Sequence, residues 1–146
     1  MQILRDKFGP YRRQSEAGFT LIEILVVLAI IGLIVSVVGP RVIGYLSDSK
    51  VKAARIQVDS LSAALDLFYL DAGRYPSNTE NLAGLVQRPV GLNSWNGPYL
   101  KGVVVPKDPW GNAYVYRFPG QHGAYDLYSL GPEGREGANN IANWSK

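Results

Sequence analysis

The chain has 146 residues, enough for one domain of ordinary size but not for a second core. It contains no cysteine, which excludes a disulfide framework, a thiolate metal site and a thiol nucleophile. The net charge of +3 does not indicate nucleic-acid binding, because the basic residues beyond the N-terminal segment are dispersed among acidic ones. We therefore expect no nucleic-acid partner.

The first 38 residues consist of a short basic leader followed by a membrane span. Residues 1–18 carry a small excess of basic side chains, and residues 19–38 are predominantly apolar, with Glu23 as their single charge. Twenty such residues are the length that a helix needs to cross a bilayer, whereas the apolar core of a signal peptide is typically about 7–15 residues long. Since basic residues precede the span, we expect residues 1–18 to remain cytoplasmic and residues 39–146 to be exported.

The helix is predicted to continue beyond the span, with a bend at Pro40, and to become amphipathic. Apolar residues recur there at spacings of three and four, which predicts one buried face packed on the rest of the domain. We consider this interpretation simpler than a coiled coil, because the pattern covers only three heptads before Gly73. The residues of this predicted face are Val51, Ala54, Val58, Leu61, Leu65 and Phe68.

The remaining chain predicts a small antiparallel sheet. Gly73 is expected to end the long helix, and Ser77-x-x-Glu80 resembles a capping box that begins a short second helix. Turn sequences rich in Gly, Pro and Asn then separate three candidate strands, which makes the fold α+β with the sheet on the buried helix face and a Gly-rich loop at the C-terminal end. The candidate strands are Tyr99–Val105, Ala113–Phe118 and Tyr125–Leu130.

The run GFTLIE at residues 18–23, between a basic leader and an apolar helix, resembles the processing motif of type IV pilin-like proteins. The resemblance implies that a prepilin peptidase cuts between Gly18 and Phe19, removes leader 1–18 and methylates the new amine of Phe19. It also implies that Glu23 pairs with the Phe19 ammonium of a neighbouring subunit, because an isolated carboxylate in hydrocarbon is costly. Thr20 belongs to the same assembly motif, and Pro40 matches a part of the helix that loosens during assembly. The alternative is that Glu23 extends to the lipid headgroups.

Three runs in the C-terminal half are similar to those of the major pseudopilins of type II secretion systems, so that the resemblance extends from Gly18 to Trp144. Local structure is a compatible explanation of the same runs, with Trp95 and Trp110 as core residues and Pro and Gly in turns. The runs are WNGPYL at residues 95–100, DPWGN at 108–112 and YDLYSLGP at 125–132.

The resemblance implies a structural subunit that is anchored once in the inner membrane and polymerises with itself into a periplasmic pseudopilus that helps export folded proteins. Residues 19–38 would form the filament core and residues 39–146 the periplasmic domain. The implied partners are minor pseudopilins, the prepilin peptidase, the inner-membrane assembly platform and the secretion ATPase. The alternatives are a type IV pilus subunit for adhesion, motility or DNA uptake, and an uncleaved monomeric receptor with one span.

Major pseudopilins bind calcium in the C-terminal loop through aspartates and backbone carbonyls, and the resemblance therefore implies a calcium site here. In this chain Glu133 and Asn140 stand where the family shows aspartates, and with the Leu130 carbonyl they form the candidate ligand set. Losing carboxylate charge should weaken affinity. A Gly-rich loop held by hydrogen bonds and filament contacts is the alternative.

We assign no catalytic residue. His122 is the only histidine and lies in a predicted surface turn, where it has no second histidine or cysteine for a transition-metal site. Asp108, Asp126 and Ser129 are chemically capable groups, but no histidine or glutamate accompanies them at a spacing that indicates an acid/base pair. The expectation is a protein that is not an enzyme.

Overall fold

The computed structural model describes residues 18–145, and the leader residues 1–17 lie outside the described part. The described chain forms two compact units, with the boundary between Arg41 and Val42. Within residues 18–145 the regular elements are one α-helix, two 3-10 helices and three strands. They are α1 (Leu21–Ala72), a first 3-10 helix (Asn81–Leu85), β1 (Val115–Arg117), β2 (Asp126–Ser129), a second 3-10 helix (Gly131–Glu133) and β3 (Ile141–Ala142).

Helix α1 confirms the predicted continuation through Pro40, which lies inside it. The predicted bend at Pro40 stays a prediction. Gly73 ends the helix as expected: its φ of 70° is a left-handed conformation that glycine adopts without strain, and its N–H donates to the Tyr69 carbonyl at 2.8 Å. The chain therefore turns away from the helix axis at a residue that the sequence identified.

The C-terminal half of α1 supplies five of the eleven buried residues in the described core cluster of the second unit. Five of the six predicted face residues are buried, whereas Val51 is 36% exposed, so the prediction was wrong at the end of the stripe nearest the span. Ala64 is an additional buried position. Six other buried residues complete this core and lie in the first 3-10 helix, in the strands or immediately before the strands, namely Leu82, Leu85, Tyr114, Tyr116, Tyr125 and Leu127.

The turn after α1 contains the predicted capping box. The Glu80 carboxylate accepts the Ser77 N–H at 2.7 Å, and the Ser77 hydroxyl accepts the Glu80 N–H at 3.3 Å. Arg74 adds two bonds of 2.7 Å to the same carboxylate. The short helix that follows is a 3-10 helix that begins at Asn81, one residue after the box.

The sheet is antiparallel in the order β1-β2-β3, with Tyr116 opposite Leu127 and Ser129 opposite Ile141. Two predicted strands are confirmed in shortened form, as β1 and β2. The predicted strand over Tyr99–Val105 is wrong, and β3 was not predicted.

The segment from Tyr99 to Val105 has strand-like composition but no neighbouring strand within the described chain. The Tyr99 N–H instead donates to the Leu85 carbonyl at 2.8 Å, and the Gly102 N–H closes a tight turn onto Leu100 at 2.9 Å. Val103 and Val104 are 85% and 73% exposed. Strand formation depends on a partner, and the local pattern cannot show whether one exists.

The two tryptophans that the sequence suggests as core residues differ in their packing against the core. Trp95 packs against the core, and its indole Nε1–H donates to the Gly84 carbonyl at 2.8 Å. Trp110 is half-buried and is not part of the described core cluster; it lines a shallow groove with residues of α1.

Candidate assembly motif and C-terminal loop

The N-terminal motif forms the start of α1. The Thr20 hydroxyl and carbonyl oxygens accept the Glu23 N–H at 3.3 and 3.1 Å, so Thr20 caps the helix. Glu23 is in the first turn, where the positive end of the helix dipole favours a carboxylate. Phe19, immediately before the helix, is 77% exposed. The motif thus presents an exposed residue at the predicted new N-terminus and an acidic side chain one helical turn away.

The apolar half of α1 has no cover in the described chain. No residue from Gly18 to Val38 is buried, although nearly all of them are apolar. Helix α1 is long and apolar enough, by length and composition, to cross a membrane. Since a contiguous apolar surface of this kind marks a membrane or protein contact, these side chains require lipid or other protein around them.

The three candidate calcium ligands lie around the second 3-10 helix. Leu130 precedes that helix, and Glu133 ends it. The Glu133 carboxylate accepts hydrogen bonds from Arg135 Nε at 3.0 Å and from Asn139 Nδ2 at 2.8 Å. Asn140 Oδ1 accepts the Gly137 N–H at 3.3 Å. In the described residues, no group of three or more acidic, histidine or cysteine side chains is arranged to hold a metal ion.

A buried polar cluster at the base of this loop was not identified from the sequence. Asp108 is 4% exposed and Ser129 is fully buried. The Ser129 hydroxyl donates to Asp108 Oδ2 at 2.6 Å and accepts the Gly131 N–H at 3.0 Å. Asp108 Oδ1 accepts the N–H groups of Trp110 and Asn112 at 3.1 and 2.7 Å. An aspartate before Pro-Trp-Gly-Asn is typical of a side chain that bonds to its own turn, and this was the available signal.

His122 lies in an exposed turn as predicted, but it also makes specific contacts. Its ring is 3.3 Å from Asp126 Oδ2 and stacks on Trp144 with 4.0 Å between centroids. Burial acts to raise the pKa of Asp126, but hydrogen bonds from the Gln121 and His122 N–H groups and from the His122 ring lower it overall. The histidine is thus beside Asp126, whereas Ser129 is bonded to Asp108, so these contacts do not unite the three groups of a catalytic triad.

The amphipathic helix with a small sheet on its buried face, preceded by a capped apolar segment and the GFTLIE motif, defines the pilin-like class of protein. A family model described as the prokaryotic N-terminal methylation motif matches residues 13–39. A second model, described as type II secretion system protein G, matches residues 41–144. The chain belongs to the protein G family of type II secretion systems, the major pseudopilins.

Curated relatives agree with this assignment. The type II secretion system core protein G of Pseudomonas aeruginosa is 43% identical over 141 residues, which cover 91% of this chain and 98% of the relative. The core protein G of Escherichia coli K12 is 41% identical over 135 residues, with 89% and 92% covered. These identities extend over nearly the full length of the relatives, so the likeness is not limited to the apolar helix.

A solved structure is similar in fold and sequence. The crystal structure of the major pseudopilin from the type 2 secretion system of enterohaemorrhagic Escherichia coli aligns with a TM-score of 0.62 and 29% identity. The match covers 70% of this chain and 92% of that one. The predicted family and fold class are confirmed, and the assignment favours the secretion-system interpretation over the type IV pilus alternative. The family is one of structural subunits rather than enzymes.

Proposed function

We propose that this chain is cleaved between Gly18 and Phe19, is methylated on the Phe19 amine and polymerises through residues 19–38 into a periplasmic filament that helps export folded proteins. The observation that carries the proposal is an exposed apolar helix with one acidic side chain, Glu23, in its first turn. The match of residues 13–39 to the methylation motif supports the processing step.

The apolar surface of residues 19–38 supports assembly through this helix. Before assembly, lipid covers these side chains, and in a filament the helices of neighbouring copies cover them. Lipid is as apolar as the side chains, so association cannot rely on the hydrophobic effect alone and needs close packing or polar contacts. Glu23 is the one acidic group that can supply such a contact in this segment.

The charge on Glu23 is unfavourable in the lipid bilayer and favours assembly of the subunits. A carboxylate in hydrocarbon costs about 2.5–3.5 kcal/mol at a helix centre on insertion scales, and less in the first turn, where Glu23 lies. Cleavage after Gly18 creates an ammonium group on Phe19, and a second copy stacked along the filament brings that group to Glu23. Pairing of the two charges therefore favours the assembled over the dispersed state, and it sets the axial register between neighbouring helices.

We place the span in the inner membrane and residues 39–146 in the periplasm, in accordance with the basic leader. The filament contains other copies of this chain and minor pseudopilins, and the prepilin peptidase, the assembly platform and the secretion ATPase act on it. The subunit contributes no catalysis, and the force for extension comes from the ATPase.

The Glu23→Gln variant tests the assembly step, because it removes the charge and preserves the side-chain shape. Removing one partner of a buried ion pair costs about 3–5 kcal/mol, which corresponds to roughly 150- to 4,000-fold weaker association. We expect filament yield, measured by cross-linking and electron microscopy, to fall below detection. Asp48→Asn is the matched control, since Asp48 is exposed on the same helix outside the span.

Two further measurements make the experiment decisive. The N-terminal mass should show a chain that begins at a monomethylated Phe19 in both the wild type and Glu23→Gln, which demonstrates that processing and membrane insertion are intact. Secretion of a folded reporter protein should decrease together with filament yield. Normal filaments and normal secretion in Glu23→Gln would refute the charge-pairing mechanism, and an uncleaved wild-type chain would refute the processing step.

A further inference from the structure

The loop between β2 and β3 carries a clamp centred on Glu133. One carboxylate oxygen accepts from Arg135 Nε at 3.0 Å, and the other accepts from Asn139 Nδ2 at 2.8 Å. A single side chain thus links the start of the loop to two positions near its middle and end. The second loop acid, Glu136, is also engaged, by an ion pair with Arg117 and a hydrogen bond from the Tyr128 hydroxyl at 2.6 Å.

These contacts do not fit a calcium site. Calcium takes 6–8 oxygen ligands at 2.3–2.6 Å, and its affinity depends on the number of carboxylates around it. Glu133 is the only carboxylate of the candidate set, and the Arg135 guanidinium already compensates its charge. Asn140 contributes no charge, and its side-chain oxygen accepts the Gly137 N–H. In this chain the Glu133 carboxylate is therefore paired with an internal cation, Arg135.

We propose that Arg135 and Asn139, by holding Glu133, close this loop without calcium, so that the periplasmic domain is stable in the presence of a chelator. The loop has a second attachment that needs no metal, at Gly131. The Gly131 N–H donates to Ser129, and its carbonyl accepts from Asn112 Nδ2 at 3.3 Å. This proposal is independent of filament assembly, because it concerns the fold of each subunit.

The test uses thermal melts of the full-length protein in detergent, followed by tryptophan fluorescence, with 1 mM CaCl₂ or 1 mM EGTA. The three tryptophans lie at positions 95, 110 and 144, so the signal reports the periplasmic domain. We expect the two melting temperatures to agree within about 1 °C. Arg135→Gln should lower the melting temperature by about 2–4 °C in both buffers, because an exposed ion pair is weak. Lys101→Gln, which removes an exposed positive charge elsewhere, should leave it unchanged.

A double variant, Arg135→Gln with Asn140→Asp, tests the reason for calcium independence. It removes the internal cation and adds a carboxylate to the candidate ligand set, and we expect its melting temperature to rise with added CaCl₂. A wild-type melting temperature that falls by several degrees in EGTA and recovers with calcium would overturn the proposal. No effect of Arg135→Gln would refute the clamp, and a double variant without calcium response would show that Arg135 is not what excludes the ion.

Discussion

Replacing Asp108 with alanine tests how much its buried carboxylate stabilises the C-terminal half of the domain. The side chain is 4% exposed. It accepts two backbone N–H groups of its own turn and the hydroxyl of Ser129, which is 21 residues away in the chain. The Asn112 side-chain amide also donates to this carboxylate, at 3.5 Å. Asp108→Ala therefore removes the acceptor of four donors and the connection between the turn and β2.

The expected loss follows from the number of donors left without a partner. Each buried polar group without a hydrogen bond costs about 1–3 kcal/mol. The Trp110 N–H is on a half-buried residue and can reach water, whereas the Ser129 hydroxyl is fully buried and cannot. We therefore expect Asp108→Ala to lower the free energy of unfolding by about 2–4 kcal/mol. That is a large part of the roughly 5–15 kcal/mol that stabilises a domain of this size.

The assay is the thermal melt of the full-length protein in detergent, followed by tryptophan fluorescence. A loss of about 2–4 kcal/mol should lower the melting temperature by about 10–20 °C. Asp108→Asn keeps one oxygen for the turn but presents an amide to Ser129, so its melting temperature should lie between those of the wild type and Asp108→Ala.

The control is Asp59→Ala, an identical substitution at an exposed position of α1. It should change the melting temperature by no more than about 2 °C, since exposed substitutions usually stay within about 0.5 kcal/mol. If Asp108→Ala also changed the melting temperature by no more than about 2 °C, the buried cluster would not contribute to stability as argued. An Asp108→Asn variant as unstable as the alanine variant would show that both oxygens are indispensable.

Two other predictions concern the second unit. The Arg74 guanidinium lowers the pKa of Glu80 from 4.5 to about 2 against the opposing effect of burial, so this pair stabilises the fold fully above about pH 5 and progressively less as the pH falls towards 2. Glu80→Gln should lower the free energy of unfolding at pH 7 by about 1–2 kcal/mol, a value reduced for solvent screening because Arg74 is 42% exposed. Urea unfolding of the wild type and the variant at pH 7 and pH 3 measures this difference. An unchanged pH dependence in the variant would contradict the role of the pair. Leu65→Ala should lower the free energy of unfolding by about 2–5 kcal/mol, because Leu65 is fully buried. Leu67→Ala, at a position 51% exposed, should lower it far less. Equal losses in the two variants would contradict the assignment of the buried helix face.

Local sequence signals determined the long helix and its ends. The apolar length of residues 19–38, the spacing from Ala54 to Phe68 and the glycine at position 73 are all properties of consecutive or nearby residues. The helix follows from them because its hydrogen bonds connect residues four apart. The same holds for the Ser77–Glu80 box, and for the motif at residues 18–23, whose processing and assembly roles remain predictions.

Strand assignment was less successful for a physical reason. A strand is stabilised by its neighbour, and the neighbour can lie anywhere in the chain. Tyr99–Val105 has the composition of a strand without a partner, whereas β3 consists of only two residues and forms because Ser129 and Tyr128 lie opposite it. Neither result can be read from the segment alone.

The functional residues differ in the same way between those that sequence identifies and those that only the tertiary structure shows. Sequence determined the class of protein and an apolar segment long enough to cross a membrane, and it predicted the role of Glu23, because these depend on short runs of residues. Only the tertiary structure decided that Glu133 is held by Arg135 and Asn139 and that Asp108 bonds Ser129. Side-chain pairing depends on which loops the folded core brings together and on the direction in which each side chain points, and neither quantity is encoded in residue spacing.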